Sequence, residues 1–262
     1  MTDSRKTSIA ARFDAAHDYE QAAFVQKQCA RMLAERIRNH HTPQSPRRIL
    51  EFGCGTGLLS RELVSSFPEA EFHLTDIAPT MLDRTRRHLA QLPVAPTALH
   101  MYVMDGENPQ PQGIPDEGFD LITSSLCLQW FEDRTRAFSR LVSLLRPGGW
   151  LMVSTLLEHS LHEWQESCKA TTIPCGVPDY PSLTQLQKEW PTGGDGKWDI
   201  YTLHDPAPSA RHFLKGLRMI GASLPRDGHR PTHGLRRAMH HFDSHFNHVT
   251  YQVAFGIFQK GC

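Results

Sequence analysis

The sequence contains no apolar run close to the roughly 20 residues that a membrane-spanning helix needs. Its first residues also lack the apolar core of a secretory signal peptide. Neither sign of charge is in excess, since 28 Lys and Arg balance 28 Asp and Glu. The chain as a whole therefore has no general attraction for nucleic acids or anionic membranes. The six cysteines show no CxxC pair, which favours reduced thiols and a cytoplasmic location.

From Arg48 onward, short apolar runs alternate with amphipathic segments. The runs predict strands at 49–52, 72–75, 99–104, 119–124, 150–155, 200–203 and 249–258. The segments between the first five predict helices at 57–67, 79–91 and 133–145. This alternation is typical of βαβ units. We expect an α/β fold, doubly wound and Rossmann-like, with a mostly parallel seven-stranded sheet and helices on both faces.

A chain of 262 residues fits one domain of this class. We expect an N-terminal helical cap over 1–46, with one helix over 8–39, and a cofactor-binding core over 47–157. A helical and loop insertion, or lid, over 158–200 follows strand five, and a strand-helix-strand segment over 201–262 closes the sheet. Prolines and a Gly-Gly-Asp-Gly run within the insertion predict long loops.

A glycine-rich loop, Glu51-Phe-Gly-Cys-Gly-Thr-Gly57, stands between the first predicted strand and a helix. Glycines permit a tight turn and close approach of the backbone to a ligand, and the helix start offers free N–H groups. Dehydrogenases use a related loop, but their third glycine comes one position later, where Leu58 stands here. The loop therefore predicts a cofactor site of a different kind.

Two carboxylates end the next two predicted strands. Asp76 follows the glycines by about 20 residues, a distance at which a carboxylate accepts from ribose hydroxyls. Asp105 ends strand three, where it can accept from an adenine amino group. Open α/β sheets bind ligands at the carboxyl ends of their strands, so these residues predict one site with the glycine loop.

These motifs, together with Phe119-Asp-Leu-Ile-Thr-Ser124 and Arg146-Pro-Gly-Gly149, resemble class I S-adenosylmethionine-dependent methyltransferases over residues 47–155. The resemblance implies S-adenosylmethionine as cofactor and S-adenosylhomocysteine as product. It also implies that Glu51 serves the methionine end, Asp76 the ribose and Asp105 the adenine. The predicted cofactor-binding residues are Glu51, Gly53, Cys54, Gly55, Gly57, Asp76, Ile77, Met81, Asp105, Gly106, Glu107 and Ser124.

Further segments resemble the malonyl-acyl-carrier-protein O-methyltransferases of biotin synthesis, nearly end to end. They are Phe13-Asp-Ala-Ala-His-Asp-Tyr19, Ser124-Ser-Leu-Cys-Leu-Gln-Trp130, Ser154-Thr-Leu156 with Ser160-Leu-His-Glu163, Leu217-Arg-Met-Ile-Gly-Ala222 and Thr250-Tyr-Gln-Val253. Ser125, Trp164 and Arg218 depart from the family pattern. The resemblance implies methyl transfer to the free carboxylate of a malonyl thioester, on acyl-carrier protein or on coenzyme A. The methyl ester would prime pimeloyl synthesis for biotin.

This acceptor does not have to be deprotonated by the protein, because a carboxylic acid titrates near pH ~4 and is ionised at neutral pH. Orientation contributes ~7–11 kcal/mol to such transfers, so no catalytic base is assigned. We predict that Tyr19 and Trp130 position the substrate, that Gln129 contacts it and that Arg218 or a neighbouring cation pairs with the malonyl carboxylate. The alternatives are that Tyr19 packs in the core, that Trp130 anchors the following helix and that Arg218 is an ordinary surface residue.

Carrier proteins are acidic, and a basic stretch follows residue 210 in this otherwise neutral chain. Such a local excess suits electrostatic docking. The predicted docking residues are Arg211, Lys215, Arg226, Arg230, Arg236 and Arg237.

Two features are interpreted as structural. His241, His245 and His248 have the spacing of one helix face, but no carboxylate or thiolate accompanies them, so no metal site is predicted. Cys127 stands in an apolar segment and is interpreted as core packing. Two other functions stay open, namely methylation of another small carboxylate or a quinone precursor, and a non-catalytic S-adenosylmethionine-binding accessory protein. The oligomeric state is also open, a monomer included.

Overall fold

The computed structural model describes residues 4–16, 18–40, 45–93, 98–110, 118–222 and 232–261. The described strands are β1 (Arg48–Phe52), β2 (Glu71–Asp76), β3 (Ala98–Val103), β4 (Phe119–Ser125), β5 (Leu145–Leu156), β6 (Gly194–Pro206) and β7 (His248–Lys260). They form one sheet in the order β3-β2-β1-β4-β5-β7-β6. The predicted seven-stranded, mostly parallel α/β fold is confirmed.

The strand order reverses between β1 and β4, which are neighbours in the sheet. β1 pairs in parallel with β2 on one side and with β4 on the other. β3 and β5 extend the two sides, also in parallel. The carboxyl ends of these strands therefore meet at a topological switch point, the position at which α/β sheets bind ligands.

The described helices begin with α1 (Ser4–Asp14), α2 (Tyr19–Ala22), α3 (Phe24–His40), α4 (Leu58–Ser66), α5 (Pro79–Leu89) and α6 (Arg134–Ser143). They continue with α7 (His162–Ala170), α8 (Leu183–Glu189), α9 (Ala210–Met219) and α10 (Thr232–His245). A short 3-10 helix covers Leu128–Trp130. The three helices predicted in the core are confirmed as α4, α5 and α6.

The N-terminal segment is broken where a single helix over 8–39 was predicted, and that prediction is wrong. Ala23 lies between α2 and α3 with φ −86° and ψ 44°, outside the helical region. Ala23 and Val25 are both buried although they stand only two positions apart. One continuous helix would turn residues at that spacing to different faces, so the break allows both side chains to be buried.

The Arg146-Pro-Gly-Gly149 motif, which precedes the strand predicted at 150–155, lies within the longer strand β5. The pairing with β4 shifts register there, since Phe119 pairs with Leu145 and Leu121 with Trp150. Asp120 lies opposite the shift, and its Oδ2 accepts from the N–H of Arg48 at 2.8 Å. Asp120, the acidic residue of the Phe119–Ser124 motif, therefore has a structural role. It joins β4 to the start of β1, at the end of the sheet opposite to the switch point.

Residues 194–196 of the Gly-Gly-Asp-Gly run begin β6, so the prediction of a loop at these residues is wrong. A Cβ on Gly194 would lie 2.1 Å from the carbonyl oxygen of Gln259, and one on Gly196 would lie 2.7 Å from the Trp190 ring. Trp190 stacks on Trp198 with ring centroids 4.7 Å apart. The glycines are therefore needed where a neighbouring strand and an indole approach the backbone of β6 closely.

The chain divides into two compact units. Unit 1 comprises Met1–Val25, Leu156–Ser182 and Ile200–Val253, and unit 2 comprises Gln26–Thr155, Leu183–Asp199 and Ala254–Cys262. The predicted insertion over 158–200 is shared between the two units and contains α7, α8 and the start of β6. The domain boundaries expected from the sequence stay a prediction. Among the described helices, none has the length and hydrophobicity required to cross a bilayer.

Each unit has its own aromatic core. In unit 1, Trp164 is fully buried, with its ring centroid 6.0 Å from that of Phe213, which stacks on Phe242. The indole N–H of Trp164 donates to the carbonyl oxygen of Cys175 at 3.1 Å. The departure from the family pattern at Trp164 is therefore accommodated in this core.

Candidate active site

The predicted glycine loop between β1 and α4 has a backbone that glycine adopts at little cost. Gly53, Gly55 and Gly57 have φ values of +63°, +58° and +85°, in the left-handed region that costs other residues roughly 1–2 kcal/mol each. The N–H of Gly57 donates to the carbonyl oxygen of Cys54 at 2.9 Å. The loop thus closes tightly and leads directly into α4.

The three glycines have different surroundings. A Cβ on Gly53 would lie 2.6 Å from Cys127 Sγ, and one on Gly57 would lie 3.0 Å from Thr85 Cγ2. A Cβ on Gly55 would meet no atom of the described residues within 4 Å. Gly53 and Gly57 therefore allow close packing of the protein on itself, whereas Gly55 presents its backbone to open space that a ligand can enter.

Asp76, at the end of β2, fixes the loop from the neighbouring strand. Its Oδ2 accepts from the N–H of Gly55 at 2.8 Å, and its Oδ1 accepts from the N–H of Ala78 at 2.8 Å. Ile77 follows it, half-buried, and Met81 is buried in the first turn of α5. The structure therefore places Asp76 and two further predicted cofactor-binding residues, Ile77 and Met81, at the end of β2 and the start of α5.

Glu51 is buried within β1, directly before the glycine loop. Its Oε2 accepts a hydrogen bond from the Ser60 hydroxyl at 2.6 Å. Burial raises the pKa of Glu51 to about 8, against the opposing effect of the Ser60 hydrogen bond and with a further contribution from the negative Asp76. Glu51 is therefore largely protonated at pH 7, and a cation beside it would favour its ionised form.

Asp105 and Glu107 follow β3 and have different partners. Asp105 is half-buried, and its Oδ1 accepts from the N–H of Glu107 at 3.0 Å. Glu107 is buried, and its Oε1 accepts from the N–H groups of residues 132 and 133 at 2.9 and 2.6 Å. A Cβ on Gly106 would lie 2.7 Å from the Phe52 ring. Glu107 and Gly106 thus hold the loop that carries Asp105.

A strained turn follows β4. Leu126 has φ +54°, and its N–H donates to the carbonyl oxygen of Ser154 at 3.1 Å. Gln129 Nε2 donates to the carbonyl oxygen of Leu126 at 2.7 Å, and Gln129 Oε1 accepts from the Thr155 hydroxyl at 3.5 Å. Gln129 therefore fixes this turn, with Trp130 half-buried beside it. Roles of Gln129 and Trp130 toward a substrate stay predictions.

Cys127 lies where the predicted cofactor residues converge. Burial and the negative Asp76 raise the pKa of its thiol, which a hydrogen bond with Ser124 only partly offsets, and Asp105 and Glu107 add to the rise. The thiol is therefore protonated at neutral pH, as befits packing rather than nucleophilic attack. Carboxylates at the ends of β2 and β3 act on this thiol, which follows β4, so these three strand ends lie close together.

We call the glycine loop with Glu51, Asp76 and Asp105, at the carboxyl ends of β1, β2 and β3, the cofactor edge. Its chemistry suits the ligand that the sequence predicts. S-adenosylmethionine carries a sulfonium, an ammonium, two ribose hydroxyls and an adenine amino group, all of which interact favourably with carboxylates. Glu51, Asp76 and Asp105 supply such carboxylates, and Gly55 leaves open space beside them. The residues present therefore fit this cofactor.

Sequence reasoning missed the hydroxyl groups that hold the loop in place. The Thr85 hydroxyl in α5 donates to the carbonyl oxygen of Gly55 at 2.8 Å, and Ser60 in α4 donates to Glu51. Their only signal is a hydroxyl in a helix beside the loop, which is too common a pattern to stand out.

The remaining predicted acceptor residues belong to unit 1. Tyr19 begins α2 and is half-buried, and α2 packs against α9, the helix that carries Arg218. Arg218 is exposed and shares one face of α9 with Arg211 and Lys215, at four- and three-residue steps. Its exposure favours a surface role, and pairing with the malonyl carboxylate stays a prediction.

A second helix of unit 1 adds positive charge. Arg236 and Arg237 are exposed on α10, which packs against α9. Asp243 is the only acidic residue on the two helices. We use the name basic helix pair for α9 and α10 with their exposed side chains Arg211, Lys215, Arg218, Arg236 and Arg237. The other two predicted docking residues, Arg226 and Arg230, lie outside the described residues.

The three histidines do not share a helix face, so that expectation is wrong. His241 and His245 stack in α10 with ring centroids 4.1 Å apart, whereas His248 begins β7. Asn247 lies between them, and its carbonyl oxygen accepts from the N–H of Ala207 at 3.0 Å. This bond keeps Asn247 out of α10, so that His248 lies beyond the end of the helix.

Two motifs that carry the family resemblance have packing roles in unit 1. Gly221 has φ +70°, and a Cβ there would lie 3.1 Å from the Phe13 ring. Glu163 is buried, and its carboxylate accepts from the N–H of Thr250 at 2.9 Å and from the Thr250 hydroxyl. Gly221, in the Leu217–Ala222 motif, therefore lets the end of α9 approach α1. Glu163, in the Ser160–Glu163 motif, connects α7 to β7 by hydrogen bonds.

Comparison with known proteins agrees with a methyltransferase fold. A family model described as a methyltransferase domain matches residues 50–151. The YcgJ protein from Bacillus subtilis shares the fold with a TM-score of 0.63 at 13% identity, over 88% of this chain and 99% of that one. A phosphoethanolamine N-methyltransferase from Haemonchus contortus, solved with S-adenosylhomocysteine, shares it with a TM-score of 0.56 at 18% identity, over 95% and 58%.

Two relatives match nearly the whole chain. The biotin biosynthesis bifunctional protein BioCD of Bordetella avium is 42% identical over 97% of this chain and 52% of its own length. The malonyl-[acyl-carrier protein] O-methyltransferase of Magnetococcus marinus is 39% identical over 98% of this chain and 94% of its own length. Since the likeness to the Magnetococcus enzyme spans this chain and that enzyme almost completely, the chain belongs to the malonyl-[acyl-carrier protein] O-methyltransferase family.

Proposed function

We propose that this enzyme transfers the methyl group of S-adenosylmethionine to the free carboxylate of a malonyl group carried by an acyl-carrier protein. The observation that carries the proposal is the acidic cofactor edge described above, in a chain related end to end to a malonyl-carrier methyltransferase. The product would be a methyl ester that primes pimeloyl synthesis for biotin, and a bifunctional relative bears the name of that pathway.

S-adenosylmethionine supplies, when bound, a methyl group on a positively charged sulfur and leaves as S-adenosylhomocysteine. In our proposal Glu51 holds the methionine ammonium, Asp76 the ribose hydroxyls and Asp105 the adenine amino group. Ile77 and Met81 pack on the adenine ring. Each carboxylate already lies at the carboxyl end of its strand, so little rearrangement is required on binding.

The acceptor carboxylate needs no base, because it is ionised at neutral pH. The tasks left to the protein are to bind this anion, to orient it in line and to exclude water. Tyr19, Gln129 and Trp130 are proposed for orientation. Cys127 takes no covalent part, because the pKa of its buried thiol is raised.

The basic helix pair is proposed as the docking surface for the carrier protein. Arg211, Lys215 and Arg218 form an exposed row on α9, and Arg236 and Arg237 extend the positive charge onto α10. An acidic carrier would be steered toward this charge at low salt. We also propose a cytoplasmic location, since the five described cysteines are free thiols.

The test is methyl transfer from labelled S-adenosylmethionine to malonyl-carrier protein, with acetyl-carrier protein as the matched acceptor that lacks a free carboxylate. We expect transfer to the malonyl form alone. Asp76→Asn serves as a cofactor-site control and should abolish most of it. Transfer to another small carboxylate or a quinone precursor instead would reassign the acceptor. Tight cofactor binding without transfer to any acceptor would indicate an accessory protein.

A further inference from the structure

A cluster of metal-ligating side chains lies away from the cofactor edge. Glu71 and His73 stand two positions apart on β2, so both point to the same face of the sheet. His100 on β3 is the register partner of His73 and lies on that face as well. Glu71 begins β2 whereas Asp76 ends it, so the cluster occupies the opposite end of this strand from the cofactor residues.

The distances within the cluster match those of a metal site. Glu71 Oε1 lies 3.1 Å from His100 Nε2 and 3.5 Å from His73 Nε2. One ligand atom from each residue falls within 4.8 Å of the others. Tetrahedral Zn²⁺ with bonds of roughly 2.0–2.1 Å separates its ligand atoms by about 3.3 Å. His100 is half-exposed, so its ring is able to adjust.

The buried histidine has a nitrogen in need of a partner. His73 Nε2 is buried, and its contact with Glu71 forms no hydrogen bond in the described part of the chain. His73 Nδ1 lies 3.3 Å from the Tyr102 hydroxyl, which can set the tautomer. With Nδ1 placed at the Tyr102 hydroxyl, Nε2 is the ring nitrogen that can bind a metal.

We propose that Glu71, His73 and His100 bind a divalent transition-metal ion of the Zn²⁺ type, with the remaining coordination position open to water. Two imidazoles and one carboxylate are a ligand set that this ion prefers. The ion joins the edge strand β3 to β2 and so stabilises the strand that leads to Asp105. This site takes no part in methyl transfer.

Arg48 limits the strength of this site. Its Nε lies 3.4 Å from Glu71 Oε2, which orients the other carboxylate oxygen toward the histidines and also opposes a second positive charge nearby. We therefore expect an affinity weaker than that of a closed structural zinc site.

The experiment is Zn²⁺ titration of the full chain, free of any polyhistidine tag, by calorimetry and by competition with a chromogenic chelator. His100→Ala and Glu71→Gln remove ligands that are partly exposed, so both variants should fold. His240→Ala removes an exposed histidine elsewhere and is the control. We expect one Zn²⁺ per chain, weakened about tenfold or more by each ligand substitution and unchanged by the control.

Thermal unfolding gives a second readout. Zn²⁺ should raise the Tm of the wild type and of His240→Ala, because an ion that binds only the folded state stabilises it. It should leave the Tm of His100→Ala unchanged. S-adenosylmethionine affinity, measured without metal, should be the same in all variants. No Zn²⁺ binding by the wild type, or binding that survives either ligand substitution, overturns the proposal.

Discussion

The cofactor edge of unit 2 and the basic helix pair of unit 1 hold their charges in opposite ways. At the cofactor edge, Glu51 and Asp76 are buried and anchored by hydrogen bonds from Ser60 and Gly55. On the helix pair, the charged side chains are exposed to solvent. Buried, fixed charges give strong effects that depend on protonation, whereas exposed ones give weak effects that salt screens. The two regions should therefore respond differently to substitution, pH and salt.

The largest effect should come from Gly55→Ala. Its backbone has φ +58°, and open space surrounds the position of the new methyl group, so the fold bears only the cost of a left-handed residue, ~1–2 kcal/mol. The methyl group would occupy space proposed for the cofactor. We expect S-adenosylmethionine affinity, measured by calorimetry, to fall roughly a hundredfold, the equivalent of about 2.7 kcal/mol.

Gly193→Ala is the matched control. Gly193 also has a left-handed backbone, φ +89°, with open space around it, but it precedes β6, away from the glycine loop. The two variants should lose similar stability, and only Gly55→Ala should lose the cofactor. Equal cofactor affinity in both would remove Gly55 from the proposed site.

The next effect concerns Glu51 and pH. The pKa of this carboxyl is raised to about 8 by burial, so its ionised form, which pairs with the cofactor ammonium, becomes available as pH rises through that value. Relative to Glu51→Gln, wild-type affinity for S-adenosylmethionine should rise about tenfold between pH 7 and pH 9. The comparison cancels the titration of the ligand itself.

Calorimetry in buffers of different ionisation enthalpy checks the same point. At pH 7, cofactor binding to the wild type should release nearly one proton more than binding to Glu51→Gln. Glu69→Gln, at an exposed position, should behave as the wild type. Identical proton release in all three would place the ammonium away from Glu51.

A smaller effect is expected on the basic helix pair. Arg211→Ala, Lys215→Ala and Arg218→Ala should each raise the KM for malonyl-carrier protein two- to fivefold at low salt, roughly the effect of one charge at the rim of an interface. The difference in KM between each variant and the wild type should shrink as salt is added. The KM for malonyl-coenzyme A should not change, and Arg136→Ala, on α6 of unit 2, is the control.

The same series decides between the two roles of Arg218. A rise in the KM for malonyl-coenzyme A with Arg218→Ala alone would support its predicted pairing with the malonyl carboxylate. An unchanged KM for malonyl-carrier protein in all three variants would exclude α9 as the docking surface.

The cofactor core was predictable because its motifs encode backbone geometry. Gly53 and Gly57 are required by positive φ and close packing, and Asp76 ends a strand whose buried residues, 72–76, are contiguous in sequence. The break at Ala23 and the strand at Gly194 were not predictable in this way. Both depend on packing partners far away in sequence, such as Gln259 against Gly194, and local periodicity carries no information about such partners.

The smallest expected effect comes from adding a single methyl group to the basic helix pair, for comparison with Gly55→Ala at the cofactor edge. Gly216 lies within α9, and a Cβ there would meet no atom of the described residues within 4 Å. Its backbone is helical, so Gly216→Ala should stabilise unit 1 by about 0.5–1 kcal/mol through lower entropy of the unfolded chain. Chemical denaturation measures this, and cofactor affinity should stay at the wild-type value. If Gly216→Ala instead lowers activity with malonyl-carrier protein while raising stability, α9 must approach its partner closely there. The absence of a side chain at Gly216 would then serve the acceptor, as that at Gly55 serves the cofactor.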